Sequence, residues 1–173
     1  NDTVRLPGQS FLSLTPHPKH DEWKPYWTKV LPNLRLAYNE ICSYSATWIP
    51  HSTGSHSVDH FLPKDLYPSL AYEWDNFRYC SSRFNSRKRV KNILDPFTIQ
   101  LGWFEINFNN MLIRPASHLS QSLKDEINNS IDVLKLNSDD ILVEERLIYL
   151  QDFETGEISF DYLQRKTPFI AYE

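Results

Sequence analysis

The chain has 173 residues, of which 40% are hydrophobic, 14% aromatic and 23% charged, and its formal net charge is -4 at pH 7. This length suits one globular domain over residues 1–173, and the composition excludes a disordered or low-complexity chain. No segment approaches the roughly 18 consecutive apolar residues of a membrane helix, and residues 1–10 do not follow the pattern of a signal peptide. We therefore expect a cytoplasmic protein that does not associate with membranes.

Glycine and cysteine content exclude several classes of enzyme. The glycines lie too far apart for a Rossmann fingerprint, a P-loop or a nucleophile elbow, all of which need clustered glycines. They are Gly8, Gly54, Gly102 and Gly156. The two cysteines, Cys42 and Cys80, cannot form a disulfide framework or, by themselves, a four-cysteine zinc site.

The first forty residues predict an arm followed by helix. Residues 1–20 are polar and contain several prolines, which predicts an extended N-terminal arm. Aromatic and apolar side chains then recur at helical spacing from Trp23 to Ile41. Because Pro32 interrupts this pattern, we expect two helical pieces joined near it.

Two short strands and a basic helix are predicted in the middle of the chain. The segments SHSVDHF, residues 55–61, and NFRYC, residues 76–80, have the alternation of strands, and a long loop separates them. Ser81 can cap a following helix that extends to about Lys91. The cations of this helix, which contains no acid, are Arg83, Arg87, Lys88, Arg89 and Lys91.

The last third of the chain predicts a hairpin and further helices. Residues 98–114 read as two strands with a turn at Asn109 and Asn110, since asparagine tolerates the positive φ of a tight turn. Apolar residues recur every three or four positions from Leu119 to Leu134, which predicts an amphipathic helix. A helix capped by Ser138, with an apolar face, and a short helix near residues 160–163 follow. The predicted face consists of Ile141, Leu142, Leu147 and Leu150.

Several residues between positions 57 and 88, most of them polar, occur in an order that is typical of one nuclease family. In chain order they are Asp59, His60, Pro63, Asn76, Cys80, Asn85 and Lys88. This order resembles the motif of the HNH, or ββα-metal, endonucleases in an H-N-N variant. The resemblance implies an α+β fold in which a ββα-metal core, residues 41–92, is framed by N-terminal helices, a β-hairpin and a helical C-terminal portion, residues 98–173.

The resemblance also implies a role for each polar residue. His60 would take a proton from the attacking water, since imidazole can accept a proton at neutral pH. Asp59 and Asn85 would supply oxygen ligands to Mg²⁺ or Mn²⁺, and the amide of Asn76 would hold the loop between the strands. The helix would bind nucleic acid through its cations, because each one adds affinity for phosphates. These binding residues are Arg83, Arg87, Lys88 and Lys91.

A structural zinc, which many relatives hold with two C-x-x-C pairs, is not expected here. Each pair has lost its second cysteine, so that only Cys42 and Cys80 are left. The alternative that the sequence leaves open is a zinc site completed by His51 and His56.

Segments outside the motif extend the resemblance. They are a W-x-x-x-W pair, LAYEWDN and LKLNSDDILVEER. They look like the HNH proteins of bacterial anti-phage systems, including the nuclease subunits of Septu-type and retron-associated modules. Those subunits work with an ABC-type ATPase, which is therefore an expected partner. The acidic helices after Leu119 would suit a docking surface for it, or would equally form a self-contained core.

The function that the resemblance implies is a metal-dependent endonuclease that hydrolyses phosphodiester bonds in DNA. Two alternatives stay open from the sequence. The same site could act on RNA, for instance tRNA, because contacts with phosphates do not depend much on the base sequence. The chain could also be a module that binds nucleic acid or a protein partner without cleaving.

Overall fold

The computed structural model describes residues 2–173 and has the α+β architecture that the sequence predicted. Over these residues it contains seven α-helices and two antiparallel sheets of two strands each. The chain divides into two compact units. The first consists of residues 2–43 and 49–85, and the second of residues 44–48 and 86–173. No helix within residues 2–173 is both long and apolar enough to span a bilayer.

The first unit contains two complete α-helices, several 3-10 segments, one sheet and the start of a third α-helix. Its regular elements are α1 (Asp2–Leu14), a 3-10 helix (Tyr26–Val30), α2 (Leu31–Ala37), β1 (His56–His60), 3-10 turns at Pro68–Leu70 and Trp74–Asn76, β2 (Phe77–Ser81) and the start of α3 (Ser82–Lys88). The two helical pieces that meet near Pro32 are confirmed, although the first is a 3-10 helix. Pro32 lies in the first turn of α2, where a missing amide hydrogen costs nothing.

Helix α1 corrects the prediction of an extended arm over residues 1–20. The helix forms although it contains Pro7, because one face of it is buried. Val4 is fully buried, Gly8 is buried, and the Phe11 ring lies edge-on to Tyr72 with 6.3 Å between centroids. Burial of side chains at this i, i+4, i+7 spacing outweighs the local preference of proline against helix. The prediction of an extended arm relied on that preference and on the polar composition.

An aromatic cluster forms the centre of the first unit. The buried Tyr72 ring contacts Trp23, Tyr26 and Trp27 with centroid distances of 6.2, 5.8 and 5.8 Å. Its hydroxyl donates a hydrogen bond of 2.9 Å to the Lys24 carbonyl. Burial raises the pKa of Tyr72 to about 12, so that the phenol remains a donor over the whole neutral range.

The alternation of the two segments predicted strands β1 and β2, and the structure pairs them antiparallel. The register places His60 opposite Phe77, Asp59 opposite Arg78 and His56 opposite Ser81. Helix α3 follows β2 directly, so that the predicted order of strand, loop, strand and helix is confirmed. It ends at Lys88, earlier than the predicted Lys91.

The second unit contains the hairpin and the C-terminal helices. Its regular elements are β3 (Phe104–Asn107), β4 (Leu112–Pro115), α4 (Gln121–Leu134), α5 (Asp140–Glu154), α6 (Phe160–Lys166) and α7 (Pro168–Tyr172). Ile106, Met111, Leu163 and Ile170 are buried together in its core. The hairpin and α4 are confirmed, and the Ser120 hydroxyl caps α4 by accepting a hydrogen bond from the Leu123 amide.

The hairpin turn differs from the prediction in one detail. The positive φ of 57° belongs to Met111 and not to Asn109 or Asn110. Met111 is 2% exposed, and its place in the core outweighs the strain of this backbone conformation. Asn110 contributes through its side chain, whose Oδ1 accepts a hydrogen bond of 3.1 Å from the Leu112 amide.

The buried face of α5 also differs from the prediction. Of the four residues expected to form it, Leu142 is buried and Leu150 partly buried, whereas Ile141 and Leu147 are exposed. The inward position is taken by Arg146, which is four residues from Leu142 and donates 3.0 and 2.7 Å hydrogen bonds to the carbonyls of Met111 and Leu136. Burial lowers the pKa of Arg146 to about 10. The N-cap is Asp139, and not the predicted Ser138.

The contact between α1 and Tyr72 yields a stability prediction. A Cβ at Gly8 would lie 2.1 Å from Cγ of the buried Tyr72 ring, so Gly8→Ala forces the helix or the ring to move. We expect it to destabilise the protein by about 1–3 kcal/mol, although alanine in a helix is normally about 1 kcal/mol better than glycine. The measurement is the urea unfolding midpoint.

Ser10→Ala, at an exposed position of the same helix, is the control and should change stability by less than about 0.5 kcal/mol. A Gly8→Ala protein as stable as this control would contradict the close packing of α1 against Tyr72.

Candidate functional site

Strand β1 carries Asp59 and His60 at its end. The carboxylate of Asp59 is almost fully buried, with 3% exposure, and the strand register places it opposite Arg78 on β2. The Arg78 guanidinium is also buried and donates hydrogen bonds of 2.7 and 3.0 Å to the carbonyls of Asp75 and Phe77. It lies 5.0 Å from the centroid of the Phe61 ring. A buried carboxylate therefore lies opposite a buried guanidinium near the end of β1.

Three contacts fix the imidazole of His60. Its Nε2 lies 2.8 Å from the Ala71 carbonyl oxygen. A carbonyl can only accept, so Nε2 carries the hydrogen and Nδ1 carries the lone pair. The ring meets Trp27 and Phe77 edge to face, with centroid distances of 4.8 and 5.4 Å. Tautomer and ring orientation are thus both set by the protein.

Asn76 ties together the loop that joins β1 and β2. The Asn76 side chain is buried, and its Oδ1 accepts a hydrogen bond of 2.7 Å from the Leu62 amide. Its Nδ2 donates to the carbonyls of Leu62 and Leu70, at 2.9 and 3.1 Å. The backbone carbonyl of Asn76 accepts from the Phe61 amide at 2.9 Å. The loop is therefore held from both sides immediately after His60.

Asn85 projects from α3 onto β1. Its Nδ2 donates hydrogen bonds of 2.6 and 3.3 Å to the Ser57 hydroxyl and the Val58 carbonyl. Because Val58 precedes Asp59, the Asn85 amide lies next to the strand position of Asp59. Binding through nitrogen fixes the orientation of the amide and leaves Oδ1 as the atom that could bind a cation.

Asp59, His60, Asn76 and Asn85 all belong to the first compact unit, although Asp59 and Asn85 are 26 positions apart in the sequence. Asp59 and Asn85 offer carboxylate and amide oxygens, which are the donors that Mg²⁺ and Mn²⁺ prefer. Within residues 2–173, no three His, Cys, Asp or Glu side chains are grouped so that they could hold a metal. A cation here would thus keep several waters, which is usual for Mg²⁺.

The residues of the alternative zinc site have other environments. Cys42 and Cys80 are buried and form no disulfide bond within the described residues. Nδ1 of His56 is hydrogen-bonded to the Tyr79 hydroxyl, and His51 is exposed, with 5.7 Å between the two imidazole centroids. Burial raises the pKa of Tyr79 to about 12. No three of the side chains of Cys42, Cys80, His51 and His56 are grouped so that they could hold a metal ion.

The basic helix is only partly a surface feature. Arg83 and Lys91 are exposed. The guanidinium of Arg87 instead binds the Asp139 carboxylate at 2.5 Å and the Leu134 carbonyl at 3.0 Å, and Lys88 is fully buried. The structure therefore gives Arg87 a structural ion pair and does not present Lys88 at the surface, in contrast to the phosphate contacts that we expected for both.

Two side chains beside the site, Trp27 and Lys64, were not predicted from the sequence to be site residues. Trp27 contacts His60, and the Lys64 ammonium lies 4.9 Å from the Trp23 ring centroid and 5.9 Å from that of Trp27. The W-x-x-x-W pair drew attention to Trp23 and Trp27, but nothing in its spacing indicates that one indole reaches a histidine more than thirty positions later in the chain.

Comparison with known proteins gives a similarity to a curated bacterial protein. No protein-family model matches the chain. The chain is similar to the Septu protein PtuB of Bacillus thuringiensis, with 31% identity over 141 residues, which cover 76% of this chain and 51% of that protein. The chain thus spans about half the length of this curated relative. The similarity supports a relationship with Septu-type proteins.

The hydrogen bonds of Asn76 yield a second stability prediction. Asn76→Ala removes three side-chain bonds and strands backbone groups of the Leu62–Leu70 loop, each of which costs about 1–3 kcal/mol when buried. We expect an overall loss of roughly 2–4 kcal/mol in the free energy of unfolding, measured by chemical denaturation.

Asn33→Ala, at an exposed position of α2, is the matched control and should be close to neutral. An Asn76→Ala protein with an unchanged unfolding midpoint would show that this amide does not hold the loop.

Proposed function

We propose that the chain is a metal-dependent endonuclease with an HNH-type ββα-metal site, formed by β1, β2 and α3, and that it cleaves phosphodiester bonds in DNA. The observation that carries the proposal is the fixed imidazole of His60, whose Nδ1 has the lone pair, next to Asp59 on the same strand. Asn85, turned towards that strand from α3, completes the set of donors.

His60 is the general base of the proposed reaction. Donation from Nε2 to the Ala71 carbonyl makes Nδ1 the acceptor for a proton of the attacking water. The same hydrogen bond stabilises the imidazolium that forms, because a carbonyl dipole favours positive charge on the ring. Trp27 and Phe77 hold the ring in its plane, so that little reorganisation is needed when the proton moves.

Asp59 and Asn85 would hold the divalent cation. When bound, Mg²⁺ or Mn²⁺ neutralises charge on the phosphate and on the departing oxygen. Burial of Asp59 strengthens its interaction with a cation, because little water competes for the carboxylate. Asn76 contributes indirectly by holding the loop that follows His60. Arg83, exposed on α3, would contact the nucleic-acid backbone.

The biological setting that we propose is bacterial anti-phage defence, with an ABC-type ATPase as protein partner. The similarity to a Septu protein supports this setting. The net charge of -4 supports a partner as well, because a chain that is negative overall has low affinity for the phosphates of long DNA. A protein that presents the substrate would offset this low affinity.

The test of the proposed function is cleavage of supercoiled plasmid and of total tRNA with Mg²⁺ or Mn²⁺, by the chain alone and with the ATPase. We expect metal-dependent cutting of the plasmid, and His60→Ala should reduce its rate by about 10²–10⁴-fold, the usual contribution of a general base. His20→Ala, at an exposed position of the same unit, should cut at the rate of the parent protein.

Each result separates the alternatives. Activity of His60→Ala within a few-fold of the parent would remove His60 from the role of base. Cutting of tRNA but not of plasmid would make the enzyme an RNase with the same site. A folded protein that cuts neither substrate, with or without the ATPase, would favour a module that binds without cleaving.

A further inference from the structure

We propose that Lys64 is a substrate-binding residue whose ammonium contacts a phosphate of the DNA next to the scissile bond. The inference rests on the proposed function, because it takes His60 as the position of the reacting phosphate. It goes further by assigning the contact to a lysine of the loop between β1 and β2, outside the basic helix α3.

The backbone around Lys64 is fixed relative to His60. Both backbone groups of Leu62, two residues before Lys64, are bonded to the Asn76 side chain at 2.7 and 2.9 Å. The Pro63 carbonyl accepts hydrogen bonds of 2.9 and 2.8 Å from the amides of Leu66 and Tyr67, which closes a turn around Lys64. The lysine therefore projects from a defined position and not from a loose loop.

Two indoles direct the Lys64 side chain towards the site. Its ammonium lies 4.9 Å from the centroid of Trp23 and 5.9 Å from that of Trp27, within the range of cation–π attraction. The ring of Trp27 in turn lies 4.8 Å from the ring of His60. The cation is thus separated from the proposed base by a single indole. Because the side chain is already ordered, binding a phosphate would cost little additional side-chain entropy.

The acid next to Lys64 does not prevent such a contact. The ammonium lies 3.3 Å from Oδ1 of Asp65, and the same oxygen accepts a hydrogen bond of 2.7 Å from the Trp23 indole. The Lys64 side chain is 20% exposed and the Asp65 side chain half exposed, and an ion pair that solvent reaches in this way contributes only about 0–1 kcal/mol. A phosphate can therefore share the ammonium with Asp65 or replace Asp65, whose carboxylate keeps its bond to Trp23.

The test measures binding without cleavage. The intact chain is titrated against a fluorescein-labelled DNA duplex of about 20 base pairs in EDTA, over a series of salt concentrations. The slope of log K against log salt reports the number of phosphate contacts. We expect Lys64→Gln to bind more weakly and to reduce the magnitude of this slope by about 0.9, the value for one contact. Lys64→Arg, which keeps the charge, should retain the parent slope.

Lys29→Gln is the matched control. Lys29 also lies over an aromatic ring, at 5.5 Å from the centroid of Tyr26, but that ring packs on Tyr72 and has no ring contact with His60 in the described chain. Its slope should equal that of the parent. Thermal unfolding of all variants shows whether the fold is retained, and a purely structural role of Lys64 would change the melting temperature without changing the slope.

The outcomes distinguish this proposal from the proposed function. If the slope of log K against log salt is the same for Lys64→Gln as for the parent, and plasmid cleavage is normal, Lys64 does not contact a phosphate. The proposed nuclease function would then still stand. A reduced slope in a protein that never cuts would keep the phosphate contact and overturn the nuclease. Absence of duplex binding at low salt, by the parent chain alone and in the presence of the ATPase, would overturn the phosphate contact together with the DNA substrate.

Discussion

The set of hydrogen bonds made by the Asn76 side chain is the constraint on which the rest of the site depends. A sheet of two short strands has little rigidity of its own, because each strand has one hydrogen-bonded neighbour. Asn76 compensates by fixing Leu62 and Leu70, and thus the loop that leaves β1 after His60 and returns as β2. The Ala71 carbonyl that orients His60 follows directly on Leu70, and Lys64 lies within the same loop. One buried amide therefore positions a proposed base and a proposed phosphate ligand together.

The second contribution to the site comes from the aromatic cluster. Trp27 belongs to a 3-10 helix near the N-terminus, yet its ring packs against both Tyr72 and His60. The position of the Trp27 ring, which depends on how the N-terminal helices pack, therefore helps to determine the orientation of the His60 imidazole. The helix α1 adds to it, since Gly8 and Phe11 contact Tyr72 from the other direction. The aromatic core of the first unit and the candidate site therefore share the Trp27 ring.

The residues of the site could be singled out from the sequence because polar side chains at fixed spacing identify a family motif. Asp59, His60 and Asn85 are found on the strand and the helix expected for them, whereas Asn76 lies in the 3-10 turn just before β2, and its hydrogen bonds are of the kind that a loop-tying amide requires. Their chemical roles remain proposals. The fate of the basic helix could not be predicted, since a run of cations looks the same whether it faces solvent or, as Arg87 does, an internal carboxylate.

By itself the sequence determined the two strands β1 and β2, the hairpin and the amphipathic helix α4, because these follow from the periodicity of apolar residues and from local turn chemistry. Only the tertiary structure decided what depends on distant partners. It made a helix of residues 2–14, placed a positive φ at Met111, buried Arg146 and brought Trp27 to His60. The physical reason is that burial and hydrogen bonding between residues far apart in the chain outweigh local preferences of about 1 kcal/mol per residue.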